Sequence, residues 1–253
     1  MKFLKERPAL LLDEFEQKTL VLADLHLGLE YEIYKKGISV PPRMDEQKGR
    51  IFKAVNETGA KRLFLLGDVK HNVPTISVSE KERLPEFFEE LCERVEVKIV
   101  KGNHDGNIEE LTEGSRVEMA STSGFKEGDF YFNHGQSWPE KEIIESRTLI
   151  RGHSHPAVEF KDKLGFSSVM SCWIRGPVNR EALSERYDVD EEEIRLEEVL
   201  IVPAFNQLIS GMPMNREKEK SMLGPVLENE ILDLDESKAY LLDGTFIGKL
   251  EDL

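Results

Sequence analysis

The chain has 253 residues, a third of them charged, with a formal net charge of −15 and two cysteines. That length can bury a substantial core without disulfides or a structural metal, and Cys92 and Cys172 form neither a CxxC pair nor a zinc-finger spacing. A generally acidic surface gives no counterion-release drive for broad duplex binding. No stretch approaches the roughly 20 apolar residues of a membrane span, and the charged start Met1-Lys2-Phe3-Leu4-Lys5-Glu6-Arg7 is no signal peptide, so a soluble cytoplasmic protein with no membrane partner and two buried, reduced thiols is expected.

In chain order, residues 9–12 and 19–23 read as short strands joined by a turn over Asp13 to Lys18. Residues 29–36 read as a helix that Gly37 stops, and a second helix follows Pro41-Pro42 over 43–57, with Met44, Ile51, Phe52 and Val55 near one face. An apolar strand over 62–66 ends in Gly67. A clearer helix spans 80–93, with Ser79 as its cap and Leu84, Phe87, Phe88, Leu91 and Cys92 at helical spacing. Residues 95–100 alternate like a strand, and 129–133 and 148–151 are further strands. The alternation of strands and helices implies an α/β layered domain. Beyond residue 190 the pattern changes to short strands at 198–202, 229–233, 237–242 and 245–249, with Asp243-Gly244 as a hairpin turn. These extend the same domain over 1–253, a separate small module being the alternative.

The six histidines fall at His26, His71, His104, His134, His153 and His155, each just past a predicted strand or in a turn containing glycine. None lies on a long helix or in the acidic tail, which chance placement would not produce. Several have acidic or amide neighbours: Asp24-Leu25-His26, Gly67-Asp68-Val69-Lys70-His71 and Gly102-Asn103-His104-Asp105. Strand ends of open α/β sheets collect functional groups. This many imidazole, carboxylate and amide donors exceeds one tetrahedral zinc and suffices for two ions sharing a carboxylate, the arrangement that clamps both oxygens of an in-line displacement at phosphorus. Alternate residues of an extended segment point the same way, which pairs Asp24 with His26 and His153 with His155. Mixed nitrogen and oxygen donors suit manganese, zinc, iron or nickel.

Taken in order, Asp-x-His, Gly-Asp-x-x-His, Gly-Asn-His-Asp, His-Gly and Gly-His-x-His resemble the five blocks of the calcineurin-like metallophosphoesterases. Having His71 in the second block is similar to the SbcD-type DNA-repair nucleases. The runs Asp24-Leu25-His26-Leu27-Gly28, Gly37-Ile38-Ser39-Val40-Pro41 and Gly152-His153-Ser154-His155-Pro156 resemble the compact archaeal SbcD-related phosphoesterases, the helicase-associated nucleases and the DNA-ligase-associated phosphoesterases. The resemblance implies a four-layer αββα sandwich with a dinuclear site at the strand ends. It implies one metal held by Asp24, His26, Asp68 and His155 and another by Asp68, Asn103, His134 and His153, with Asp68 bridging and manganese favoured. It further implies that a metal-held hydroxide attacks phosphorus, that His104 contacts the phosphate and protonates the leaving oxygen, oriented by Asp105, and that His71 is a second imidazole near the scissile group. The implied activity is a phosphodiesterase, a nuclease on single-stranded DNA or RNA with 3′-to-5′ exonuclease action; a small-molecule phosphodiesterase, on cyclic nucleotides for example, is the alternative, and a non-catalytic scaffold the third reading. A helicase or DNA-repair partner and a homodimer belong to the same family-level expectation. Lys70 reads as a solvated lysine and Trp138 as a structural tryptophan, with phosphate contact and base stacking as their functional alternatives; Arg175 and Arg180 are weaker phosphate-binding candidates. The segment Ile201-Val202-Pro203-Ala204-Phe205-Asn206 with Gly211-Met212-Pro213 also looks familial, without an assigned role.

Overall fold

In the computed structural model, which describes residues 1–216 and 224–253, the first half of the chain builds a six-stranded sheet. Its strands are β1 (Lys2–Phe3), β2 (Leu10–Leu12), β3 (Thr19–Ala23), β4 (Arg62–Leu66), β5 (Glu96–Val100) and β6 (Glu118–Ala120), side by side in chain order. The β1–β2–β3 meander is antiparallel, and β3 through β6 run parallel. Helices α1 (Leu29–Lys35) and α2 (Met44–Thr58) connect β3 to β4, α3 (Val78–Cys92) connects β4 to β5, and α4 (Glu109–Thr112) connects β5 to β6. Strands β3 and β4 are almost continuous apolar runs because both faces of the sheet are covered. Along β3 the faces alternate: Leu20 and Leu22 pack under Ile51, Ala54, Phe87 and Leu91 of α2 and α3, whereas Val21 and Ala23 point between the two sheets.

The second sheet contains β7 (Phe125–Glu127), β8 (Phe130–Asn133), β9 (Thr148–Arg151), β10 (Pro156–Lys161), β11 (Ser167–Pro177), β12 (Glu198–Ile201), β13 (Met212–Pro213), β14 (Lys238–Leu241) and β15 (Phe246–Lys249). It is mixed: β8–β9 and β9–β12 are parallel, while β11 is antiparallel to β10 through Ser171 and then to β12 and β14. Between the sheets Leu10, Phe64, Leu66, Phe132, Ile150 and Trp173 form the central core. On the outer face Ile174, Val199 and Ile201 pack against Leu183 of α5 (Arg180–Tyr187) and Val226 and Leu227 of α6 (Pro225–Glu228). Helix, sheet, sheet and helix thus make the four layers that were expected.

Several expected elements sit elsewhere. The cap of α3 is Ser77 rather than Ser79: its hydroxyl accepts from the Glu80 amide and the Glu80 carboxylate accepts from the Ser77 amide, a reciprocal pair that Ser79 cannot form. The expected strand over 229–233 is instead the turn that follows α6, which Pro225 opens after Gly224 and Asn229 caps; Leu232 makes only an isolated bridge to Val178. Cys172 is buried but Cys92 is only half-buried. Strand 198–202 enters the sheet as β12, and the Asp243-Gly244 turn joins β14 to β15.

Candidate metal centre

Every strand that ends at the site arrives with its C-terminal end. Asp24 and His26 follow β3, Asp68 follows β4, Asn103 and His104 follow β5, His134 follows β8, and His153 and His155 follow β9. The two sheets therefore deliver their loops to one edge of the sandwich. Asp24, His26 and His155 form one group, and Asp68, His134 and His153 another; within each, the ligand atoms all lie within 4.8 Å of one another. Asp68 faces both: its Oδ2 lies 3.5 Å from His26 Nε2 and its Oδ1 lies 3.4 Å from His134 Nε2. Asp24 Oδ1 lies 3.4 Å from His155 Nε2. Asn103 is the exposed member, in the turn between Gly102 and His104.

The backbone around these side chains is unusual. Asp24, His26, Asp68, His153 and His155 all have positive φ, between 40° and 71°, a region that disfavours side chains with a Cβ by roughly 1–2 kcal/mol per residue. Backbone pairing holds them there. The His26 amide donates to the Asp68 carbonyl at 2.7 Å and the Leu27 amide to the Val69 carbonyl at 2.8 Å. Gly102 leaves room for Asp68, since a Cβ there would collide with its carboxylate, and Gly67 does the same for the His134 ring.

The donors fit cations. His26 Nε2, His134 Nε2 and His155 Nε2 are buried and have no hydrogen-bond partner, although buried polar atoms are normally satisfied. Each lies 3.4–3.5 Å from a carboxylate oxygen, the separation of two ligands each about 2 Å from one shared ion. His134 Nδ1 donates to the Leu66 carbonyl at 2.7 Å, which leaves Nε2 as the nitrogen for a metal. Charge follows the same division. Burial opposes it, yet the Asp68 carboxylate pushes His134 up to about 9, and His155 is raised beside Asp24. Burial pushes His26 down to about 3, and burial with the His134 charge brings His153 to about 4. Asp24 and Asp68 stay below the usual carboxylate range: burial raises them, but their histidine neighbours lower them more. Asp24 and Asp68 thus favour protons on the histidines facing them, the charge that a bound cation would replace.

Asp105 makes no hydrogen bond to the His104 ring among the described residues. Its Oδ1 accepts from the Val69 and Lys70 amides and its Oδ2 from the Gly102 amide, so it ties the second turn to the third; burial and the Asp68 charge push it up to about 6. The His104 ring is set instead by the His71 carbonyl, which accepts from His104 Nδ1 at 2.5 Å, while the His104 amide donates to Asp68 Oδ1. His71 is 8% exposed, and both of its ring nitrogens are engaged, by His26 and by Glu32. Lys70 is buried, not solvated, and its ammonium donates to the Asn72 carbonyl. Trp138 packs on the outer layer under Arg186 and against Tyr187; Arg175 pairs with Glu198, and Arg180 begins α5.

The segment without an assigned role acquires one. Asn206 Nδ2 donates to the Leu25 and His26 carbonyls, the Phe205 amide donates to the Ala23 carbonyl, and the Met212 amide donates to the His155 carbonyl. Residues 205–212 therefore brace the first and last ligand turns from behind. In the sequence this segment carried only a familial likeness, which names no role for Asn206.

A family model described as calcineurin-like phosphoesterase matches residues 17–190. Among solved structures, the nuclease MPE of Pseudomonas putida is similar over 93% of this chain and 97% of its own, at 16% identity and a TM-score of 0.55, a likeness of fold. Yfce, a phosphoesterase from E. coli, overlaps 57% of this chain and 73% of its own at 17% identity and a TM-score of 0.35; AQ665 of Aquifex aeolicus, a protein of unknown function, overlaps 54% and 78% at 17% and 0.38. No curated protein matches.

Proposed function

The chain belongs to the calcineurin-like phosphoesterase family, whose members use a dinuclear metal site, and from that premise we propose that it is a manganese-dependent phosphodiesterase cleaving single-stranded nucleic acid. The metal-dependent phosphoesterase core of this reading rests on one observation: three buried imidazole nitrogens, of His26, His134 and His155, without hydrogen bonds and facing the oxygens of Asp24 and Asp68. Asp24, His26, Asp68 and His155 would hold one ion and Asp68, Asn103, His134 and His153 the other. When bound, the pair would supply positive charge against the phosphate and lower the pKa of a water.

The protein's own groups do the rest. His104 is the general acid for the leaving oxygen. Its Nδ1–H is fixed on the His71 carbonyl, which leaves Nε2 as the nitrogen available to hand over a proton. Asp105 keeps the Gly102 turn, and so His104, in register with Asp68. The nucleic-acid substrate is supported by overlap with nuclease MPE along nearly the whole of both chains, and with it one functional unit over 1–253 is proposed. The net charge of −15 favours a single strand over tight duplex capture.

End-labelled DNA and RNA oligonucleotides, cyclic nucleotides and bis-p-nitrophenyl phosphate, each with manganese, zinc, iron or nickel, test the proposal. Progressive shortening of a single strand by the wild type and its loss in His104→Ala are expected. Hydrolysis of the small diesters with intact oligonucleotides would move the substrate to the small-molecule class; inactivity on all of them would remove the enzyme reading.

A further inference from the structure

We propose that Glu32 is a positioning residue of this site, acting through His71 to fix which nitrogen of His26 carries the proton. The inference rests on the reading of His26 as a metal ligand. His71 Nε2 lies 2.6 Å from Glu32 Oε2, and His71 Nδ1 lies 3.1 Å from His26 Nδ1. An ionised carboxylate only accepts, so His71 Nε2 is the donor. A neutral ring has one N–H, which makes His71 Nδ1 the acceptor and His26 Nδ1 the donor. His26 Nε2 is then left with a free lone pair, and it is this atom that faces Asp68 Oδ2 without a hydrogen bond. The opposite order would set the Nε2 lone pair of His71 against the Glu32 carboxylate and place a proton on His26 Nε2, where a metal must bind. The negative charge of Glu32 selects between the two.

His26, His71 and His104 also have the spacing of a cation site, but the hydrogen bonds give the set another use. Both nitrogens of His71 are occupied, its carbonyl holds His104, and its amide is held by the Leu27 carbonyl and by Glu80. The His71 and His104 rings stack at 5.1 Å. One residue therefore orients both the ligand His26 and the acid His104. Glu32 reaches it from α1, a helix with no buried residue of its own, and also pairs with Lys36. Carboxylate–histidine–metal chains of this kind set ligand basicity, and their loss weakens metal binding roughly 10–100-fold.

The test uses Glu32→Ala, Glu32→Gln and His26→Ala in the full chain, with side-chain nitrogen NMR of the metal-free protein at neutral pH and manganese titration as readouts. In the wild type, His26 is expected to carry its proton on Nδ1. Glu32→Ala should mix the two His26 tautomers and weaken one of two manganese sites about 10–100-fold. Glu32→Gln loses the charge and can donate as well as accept, so it should also mix the two His26 tautomers. Wild-type tautomer and affinity in both Glu32→Ala and Glu32→Gln would overturn the relay. Two undiminished manganese sites in His26→Ala would instead overturn the ligand reading beneath it, so the two failures are distinguishable.

Discussion

The same strands carry two kinds of burial. Along their length Val21, Phe64, Ile150 and Trp173 sit between the sheets in apolar contact, and an area-proportional hydrophobic gain holds them. One to three residues past the ends of β3, β4 and β8, Asp24, His26, Asp68 and His134 are as deeply enclosed, yet they are ionisable and three of them have left-handed backbone. Nothing in the transfer of such groups from water favours that arrangement. The contrast teaches that the body of the sandwich is stable by itself, while its rim is a costly arrangement kept for what it binds. Perturbing the body should change folding and leave metal affinity alone; perturbing the rim should change metal affinity.

The largest expected effect is at the bridge. Asp68→Ala removes oxygens facing both ligand groups, so hydrolysis of bis-p-nitrophenyl phosphate should fall by well over the roughly 100-fold upper figure for outer-sphere partners, and elemental analysis should find both metals depleted. His104→Ala should lower turnover by about 10²–10⁴-fold, the usual worth of a general acid, with metal content intact; a parallel loss of metal would place His104 among the ligands instead. In the body, Trp173→Ala leaves a void against Phe3, whose ring stacks on it at 4.3 Å, and should cost about 3–5 kcal/mol in denaturant unfolding. The contrast breaks if that variant, while still folded, binds manganese less tightly.

A subtler effect is on pH. His134 has its pKa raised to about 9, so its contribution to metal-free stability is complete below its unfolded value of 6.5 and is lost as pH rises towards 9. His26 and His153 are depressed to about 3 and about 4; their contribution is present above 6.5 and is lost as pH falls towards those values, because the unfolded chain takes up protons first. Metal-free protein should therefore be most stable near pH 6.5, and manganese should flatten the alkaline limb by replacing the His134 proton. A melting temperature that does not vary with pH in the metal-free protein would contradict this. The smallest effect concerns Cys172, whose thiol burial pushes up to about 12: a thiol reagent should label Cys92 in native protein and Cys172 only after unfolding.

Legibility in the sequence followed the same contrast. Strands β3, β4 and β9 lie on the expected residues because short apolar runs flanked by polar turns suit strands buried on both faces. Strand β11 escaped, since Ser167 to Met170 are exposed and Cys172 to Ile174 are buried on both sides as the strand changes partners, which leaves no single period to read. At the rim, His and Asp spacing pointed to which side chains converge, but not to the left-handed backbone that aims them. Glu32 was invisible for another reason: on sequence it is an ordinary acidic residue in a helix, and only the tertiary approach of α1 brings it to His71. For Asp105 the family resemblance implied a hold on the His104 ring, whereas its side chain turns back to the Val69 and Lys70 amides.

Each ligand group draws on both sheets: Asp24 and His26 meet His155, and Asp68 meets His134 and His153. Two bound ions would then act as rivets through the sandwich, since the sheets cannot part at that edge without releasing both. Binding of that kind adds to the free energy of the folded form alone. Chelation should accordingly do more than silence the enzyme, opening the riveted edge to proteases while the far end of the sheets stays closed.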